Sequence, residues 1–411
     1  MSLIRPIRYI SPMKKIVAYI ALMVLVTATL SSCRREPPLH LYDAGEAYMK
    51  LPVIDMNLEV YWDYELNFGE DYDWKEEWYY GWDDIDRQIF GEMGYVEPTT
   101  FNVRRYHTGS VAYAPHTTVL ANLVNGTRFR ERYNWGFWDV LVWNEVHTLD
   151  GVQSLIFDEV TTLDSVTAYT NQSMHGSRYQ APAYTRSFYE PEPLFSGYEQ
   201  AIEINRNLDG FIYDPVENIY IRQLNMILEP ITYIYLTQVI IHHNYGRVTA
   251  IDGISNLSGM ARSTTLNSGI AGSDAITVYY NSRLKKDMPY VPYSVTLGEI
   301  ASAPSNVERV DIIGGRLMTF GICNQNGNRI TRQAQVKDNK RHYMDVTMQF
   351  NNGMDSTFVF DVTQQVRRRY KGGVITVELD MDTIPIPSRS GGSGFDAVVE
   401  SPDSVTHVID L

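Results

Sequence analysis

The residues best suited to chemistry lie in one acidic and aromatic segment, Tyr61 to Asp86. The segment includes many carboxylates and several indoles: Asp63, Glu70, Asp71, Asp73, Glu76, Glu77, Asp83, Asp84 and Asp86, with Trp62, Trp74, Trp78 and Trp82. Paired carboxylates can cleave glycosidic bonds, and acid-rich loops can bind Ca²⁺. However, a high density of acids does not show that two carboxylates are paired, and the segment lacks the EF-hand pattern of spaced ligands and glycine.

Two other interpretations of this segment need no catalysis. Exposed indoles would stack on sugars, which makes Trp74, Trp78 and Trp82 candidate glycan contacts. Alternatively, the segment is a long solvated loop whose aromatic side chains pack on a sheet beneath it. The sequence favours the loop, because aromatic residues fit half-buried sheet surfaces.

The remaining chemistry-bearing residues form no recognised catalytic pattern. His242 and His243 follow an apolar run that reads as a strand. Neighbouring side chains of a strand point to opposite faces, so the pair is a poor shared metal site. Zinc-protease, nucleophile-elbow and phosphate-loop motifs are absent. The sequence therefore indicates a protein that is not an enzyme, with no catalytic residues, metal ligands or cofactor.

The first residues have the layout of a secretory signal. Basic residues precede an apolar run from Ile16 to Leu30, and then come Ser31, Ser32 and Cys33. Either Met1 or Met13 can start this layout. The apolar run holds about fifteen residues, fewer than the roughly 20 that cross a bilayer as a helix.

The end of this signal resembles the lipobox of bacterial lipoproteins, Leu30-Ser31-Ser32-Cys33. The resemblance implies that a peptidase removes residues 1–32 and that Cys33 carries a diacylglyceryl group. Two or more acyl chains give stable anchoring. We therefore expect attachment to the outer membrane through Cys33, with residues 33–50 as a tether. An ordinary signal peptide with a chance cysteine is the alternative.

Charge and cysteine content limit the classes of binding partner and the disulfides that the chain can form. The net charge of −14 argues against a nucleic-acid partner, because such proteins show basic patches. With Cys33 committed to lipid, Cys323 has no second cysteine to pair with. Its apolar neighbours indicate a buried thiol, so stability must come from hydrophobic cores.

Period-2 apolar alternation, separated by turn residues, recurs along the chain and indicates an all-β fold. Val346–Phe350 and Thr357–Val362 flank Asn351-Asn352-Gly353 and predict a hairpin. Val405–Leu411 predicts a final strand, and Phe195–Ile204 could hold one short helix. We expect two β-sandwich domains, at residues 51–215 and 216–411.

Several weak motifs, taken in order, resemble the fimbrillin-like lipoproteins of Bacteroides-type bacteria, in a branch known only as a domain of unknown function. They run from about residue 50 to the end and include Trp135-Gly136-Phe137-Trp138, Pro193-Leu194-Phe195, Asn256-Leu257-Ser258-Gly259, Phe360-Asp361-Val362-Thr363 and Ile384-Pro385-Ile386-Pro387. The resemblance implies two tandem Greek-key, transthyretin-like β-sandwiches. It also implies a pilus subunit, anchor or adhesin.

In such pilins a strand from one subunit completes the sheet of the next. The terminal strand, with Val405, His407, Ile409 and Leu411 on one face, is therefore a candidate donor or capping strand. The alternative is an ordinary edge strand of the second domain.

The sequence thus predicts a lipid-anchored surface protein: a fimbrial anchor, minor pilin or adhesin that joins other subunits by strand addition. The alternative function is a glycan-binding lipoprotein of a nutrient-uptake system. A surface hydrolase is a third and weaker hypothesis.

Overall fold

The chain divides into two units, Met1–Leu51 and Pro52–Leu411. A computed structural model describes residues 13, 16, 17, 19–21, 23, 48–62, 73–114, 116, 118–146, 148–149, 152–158, 163, 166–172, 187–291, 307–324, 335–387 and 405–410. In the first unit, the described residues from Met13 to Met23 are helical and exposed. Of the helices in these ranges, none has the length and apolarity needed to span a membrane.

The second unit is mostly β-sheet with few helices, so the all-β prediction is confirmed. In chain order the strands are β1 (Val53–Val60), β2 (Thr100–Gly109), β3 (Thr118–Asn125), β4 (Arg128–Arg132), β5 (Gly136–Asn144), β6 (Thr148–Leu149), β7 (Val152–Gln153), β8 (Leu155–Asp158), β9 (Thr167–Thr170), β10 (Ser187–Phe188), β11 (Phe195–Ile204), β12 (Ile212–Asp214), β13 (Ile219–Pro230), β14 (Tyr233–His242), β15 (Val248–Ala261), β16 (Ser263–Thr265), β17 (Ala275–Tyr290), β18 (Glu308–Thr319), β19 (Tyr343–Phe350), β20 (Asp355–Asp361), β21 (Gly373–Asp380) and β22 (Val405–Asp410). Within the described residues, three short helices accompany them: α1 (Trp74–Glu77), α2 (Asp84–Phe90) and α3 (Thr363–Arg368).

Two large sheets contain most of these strands. The first has the order β3-β2-β5-β11-β13-β1-β4, and β12 also pairs with β13. The second has the order β21-β14-β18-β17-β15-β19-β20-β22, and β10 also pairs with β17. Four pairings are parallel in the described residues: β1 with β13, β10 with β17, β14 with β21 and β20 with β22. The division into domains at residues 215 and 216 stays a prediction.

The predicted hairpin is present as β19 and β20, which pair in antiparallel register. The turn lies at Asn351–Gly353, where Gly353 has a φ of +77°. The Phe350 amide donates to the Met354 carbonyl at 2.8 Å and closes the turn. Local turn chemistry therefore suffices to set this register.

The short helix expected at Phe195–Ile204 is wrong, because this segment is strand β11. It pairs with β5 and β13, with a bulge between Glu199 and Ile202. Buried Asp139 of β5 supports the bulge: it accepts from the Ala201 amide at 2.7 Å and from the Tyr198 hydroxyl at 2.6 Å. Long-range pairing thus overrides a local composition that suits a helix.

Strand β14 is buried on both faces, which explains its dense apolar sequence. Ile234, Leu236 and Ile240 pack in one hydrophobic core, together with residues of the first sheet. Tyr235 and Val239 pack in a second core, formed mainly by the second sheet. A strand between two cores needs apolar residues at consecutive positions rather than alternation.

The acidic and aromatic segment docks on the second sheet through a buried ionic cluster. Asp86, which is fully buried, accepts from the Tyr80 hydroxyl at 2.8 Å, from Arg283 Nη1 at 2.7 Å and from Lys285 Nζ at 2.6 Å. The Tyr80 ring lies against Gly314, where a Cβ would come within 2.3 Å of the ring carbons. Glycine at 314 therefore makes room for the ring.

Gln238, buried in β14, holds the same segment through its backbone. Its Oε1 accepts from the amides of Tyr79 and Tyr80 at 3.0 and 3.2 Å. Its Nε2 donates to the Glu77 carbonyl at 2.5 Å and to the Thr376 hydroxyl at 2.9 Å. One side chain thus fastens the segment to β14 and β21.

We predict that Asp86→Ala lowers the free energy of unfolding by about 3 kcal/mol, because Arg283 and Lys285 lose their buried carboxylate and keep only the half-exposed Asp83. Urea unfolding of the variant measures this change. The matched control is Asp84→Ala, two residues away, whose exposed carboxylate contacts Arg87 and whose loss should leave stability nearly unchanged. Equal effects of the two substitutions would contradict the role of the cluster.

Candidate functional site: the sheet edges

Each large sheet ends in two strands whose outer backbone groups need a partner or protection. Of the described strands, β3 and β4 end the first sheet, and β21 and β22 end the second. These four edges differ in how they are protected. Their differences indicate where another chain can add a strand.

The β4 edge is closed by charge. Arg128 forms an ion pair with Asp55 of β1, and Arg130 Nη2 lies 2.7 Å from Glu217 Oε2. The hydrogen bond from Arg128 lowers the pKa of the buried Asp55 carboxyl. A short strand that carries charged side chains resists pairing with another strand.

The β21 edge is closed by a helix. The side-chain amide of Gln365 in α3 donates to the Thr376 carbonyl at 2.8 Å, and its oxygen accepts from the Thr376 amide at 2.9 Å. Gln365 therefore satisfies both backbone groups of Thr376 and occupies the place of an incoming strand.

Strand β22 covers the β20 edge. It lies parallel to β20, and the register pairs Val405 with Ser356, His407 with Phe358 and Ile409 with Phe360. Of the described strands, β22 pairs with β20 alone. Leu411 lies outside the described residues.

Strand β20 is poorly suited to be a free edge. Every residue from Ser356 to Asp361 is buried, and Phe358 and Phe360 belong to the second core. An apolar edge strand without a cover is an aggregation site. The pairing with β22 provides the cover that such a strand needs.

The β3 edge has none of these protections within the described residues. Its sequence, Thr-Val-Leu-Ala-Asn-Leu-Val-Asn, contains no charge and no proline. Leu120 and Leu123 are 40% and 59% exposed. Sequence reasoning missed this edge, although an uncharged run between Pro115 and Gly126 was a visible signal.

The structure places the three candidate glycan-contact indoles against the protein body. Trp74 and Trp78 are 6% and 8% exposed and belong to the first core, and Trp82 packs on that core while half-buried. A ring buried like Trp74 has no face to offer a sugar, so glycan contact here stays a prediction for Trp82. The loop interpretation anticipated this packing, although it missed the helices α1 and α2.

The two adjacent histidines form separate contacts. His242 Nδ1 lies 2.7 Å from Glu308 Oε1, and His243 Nδ1 lies 2.9 Å from Asp380 Oδ1. Its hydrogen bond with Asp380 raises the pKa of His243. His243, Asp380 and Asp382 form the one group in the described part of the chain that has metal-ligand spacing. Ion pairing already accounts for its geometry.

The two cysteines differ in what the structure shows. Cys33 lies outside the described residues, so its lipidation stays a prediction. Cys323 is 1% exposed, and burial raises the pKa of its thiol to about 12. A buried thiol with so high a pKa is inert, and its burial is as the sequence predicted.

No protein-family model and no curated protein matches this chain. It is similar to the solved structure of a candidate adhesin from Bacteroides ovatus, with 12% identity, a TM-score of 0.44 and coverage of 83% of this chain and 96% of the other. A candidate adhesin from Bacteroides thetaiotaomicron has 8% identity and a TM-score of 0.42, with 81% and 93% covered. The fimbrial anchor protein Mfa2 of Porphyromonas gingivalis has 11% identity and a TM-score of 0.37, with 79% and 90% covered.

These neighbours are of the class that the sequence resemblance named.

We predict that Leu123→Lys on β3 reduces self-association of the purified protein, because a charge on an edge strand opposes strand addition. Sedimentation velocity measures the effect. The matched control is Ile227→Lys on β13, where the side chain is 54% exposed but the residue lies inside the sheet and pairs with Glu59 of β1. Equal effects of the two substitutions would assign the association to general surface hydrophobicity and contradict the edge assignment.

Proposed function

We propose that this chain is a lipid-anchored surface protein of the fimbrial and adhesin class that joins neighbouring subunits by strand addition. The observation that carries the proposal is the β20 edge. Its residues are buried on both faces, and the last described strand of the chain covers it. The same strand from a second copy would present the same backbone groups to β20.

The pairing of β22 with β20 suits exchange. Six consecutive residue pairs from Ser356 and Val405 to Asp361 and Asp410 form one ladder without a register shift. In strand addition, main-chain hydrogen bonds supply affinity and alternating side chains supply register. Since the exchanged segment is identical in every copy, its register on β20 would be the same within and between subunits.

The uncharged β3 edge supports a second contact of the same kind. It lies at the far end of the first sheet, whereas β22 ends the second sheet. Two separate edges would let one subunit contact two neighbours. The lipid on Cys33 would hold such an assembly at the outer membrane.

No residue set in the described part of the chain favours catalysis. Of the acids at residues 73–86, Asp86 serves the docking of that segment through its two cationic partners. The surface hydrolase hypothesis therefore has no observation in its favour.

We predict that a chain ending at residue 404 binds a synthetic peptide of residues 405–411, because its β20 edge is uncovered. Fluorescence anisotropy of the labelled peptide measures the binding. The control peptides carry Val408→Pro or Ile409→Pro, since proline removes an N–H donor from the ladder. Neighbouring amides point to opposite sides of a strand, so one of the two substitutions removes a donor that faces β20.

Tighter binding of the unmodified peptide than of at least one proline peptide supports the proposal. Equal affinity of all three peptides, or no binding, would refute it. Circular dichroism establishes that the truncated chain is folded in either case.

We predict that a palmitate analogue labels the wild-type chain and the Cys323→Ala variant but not Cys33→Ala, when each is expressed in a host that processes lipoproteins. Cell fractionation should show loss of membrane retention in Cys33→Ala only. Label retained by Cys33→Ala would overturn the lipid assignment.

A further inference from the structure

A cavity of about 370 Å³ lies beside the second sheet. Its lining comes from Ser154, from the segment 189–193 that connects β10 to β11, and from strands β17 and β18. Sites for small ligands usually occupy about 300–1,000 Å³. The cavity is therefore large enough for one or two sugar rings.

The cavity contains a buried cation. Arg316 is 9% exposed, and its Nε donates to the Met93 carbonyl at 2.9 Å. In the described part of the chain, neither terminal nitrogen of its guanidinium has a hydrogen-bonded or ion-paired partner. Guanidinium stays charged in proteins, and its planar fork matches a carboxylate. Glu190 in the same cavity supplies an opposite charge that acts on Arg316, but no carboxylate of the described residues lies within ion-pair distance of it. A ligand carboxylate on the two terminal nitrogens would therefore add charged hydrogen bonds.

A carboxyl group faces the same space. One oxygen of Glu190 accepts from the Met318 amide at 2.9 Å, and the side chain lines the cavity. Burial raises the pKa of this carboxyl. Glu192 also lines the cavity. Carboxyl groups accept hydrogen bonds from hydroxyls.

The walls combine rings with a side-chain amide. Tyr189 and Tyr279 pack edge to face with centroids 5.4 Å apart, and Asn281 contributes an exposed amide. Apolar walls with a few polar groups are typical of small-molecule sites. One cation, hydroxyl acceptors and aromatic walls together fit a sugar that carries one carboxylate.

We propose that this cavity binds a hexuronic acid unit of an acidic glycan, with the carboxylate on Arg316 and the hydroxyls on Glu190 and Asn281. This site is separate from the three tryptophans near residues 74–82. It is also independent of strand addition, since it uses neither β3 nor β22.

Isothermal titration calorimetry on the detergent-solubilised full chain tests the proposal with three probes. Digalacturonate carries both the ring and the carboxylate, digalactose lacks the carboxylate, and glutarate lacks the ring. We expect digalacturonate to bind, and both other probes to bind at least about tenfold more weakly, because a charged hydrogen bond or the ring contacts are lost. Equal affinity of digalactose or glutarate, or no binding of digalacturonate, would overturn the proposal.

Two variants test which residues form the site, and a third variant is the control. Arg316→Lys keeps the charge but loses the bidentate fork, so we expect about tenfold weaker binding of digalacturonate. Asn281→Ala alters an exposed residue, so it should fold normally and weaken binding severalfold. Arg206→Gln removes an exposed cation outside the cavity and should change nothing.

Thermal unfolding of each variant shows whether it is folded. Wild-type affinity in folded Arg316→Lys and in Asn281→Ala would overturn the assignment. If Arg316→Lys does not fold, the result for Asn281→Ala decides.

Discussion

The backbone groups at the edge of a β-sheet must be paired or protected, and this constraint organises the whole molecule. Of the four edges that end the two large sheets in the described part of the chain, one is closed by arginines and one by the side chain of Gln365. A third is covered by the last described strand, and the fourth is uncharged and partly apolar. Two edges are thus closed to other chains. The remaining two are the places where assembly by strand addition is physically simplest.

Buried contacts hold together the protein body that presents these edges. Strand β14 contributes one face to each of two cores. The Asp86 cluster and the Gln238 side chain hold the segment of residues 77–86 against the second sheet. A buried carboxylate with two cations contributes only if all of its partners stay in place. Such a body gives β20 a fixed position, which an exchanged strand would need for a single register.

The sequence predicted the strands and the hairpin that depend on local residue patterns. The hairpin of β19 and β20 followed from alternation around Asn351–Gly353, and the final strand followed from alternation near Val405. Phe195–Ile204 was mistaken because its Glu, Gln and Ala residues suit a helix, whereas pairing with β5 decides its state. The partners of Gln238 and Asp86 are far away in the chain, so no local pattern reveals them. The cavity is equally hidden, since its lining runs from Ser154 to Met318.

The most direct measurement is a disulfide crosslink between register partners on different chains. Thr357 of β20 pairs with Thr406 of β22, and directly paired strand residues lie within disulfide reach. Thr357→Cys and Thr406→Cys chains would be co-expressed in one host and oxidised on intact cells, with Cys323 buried and inert. The account predicts a crosslinked dimer containing one chain of each type. No such dimer, together with an efficient crosslink inside a single chain carrying both cysteines, would contradict it.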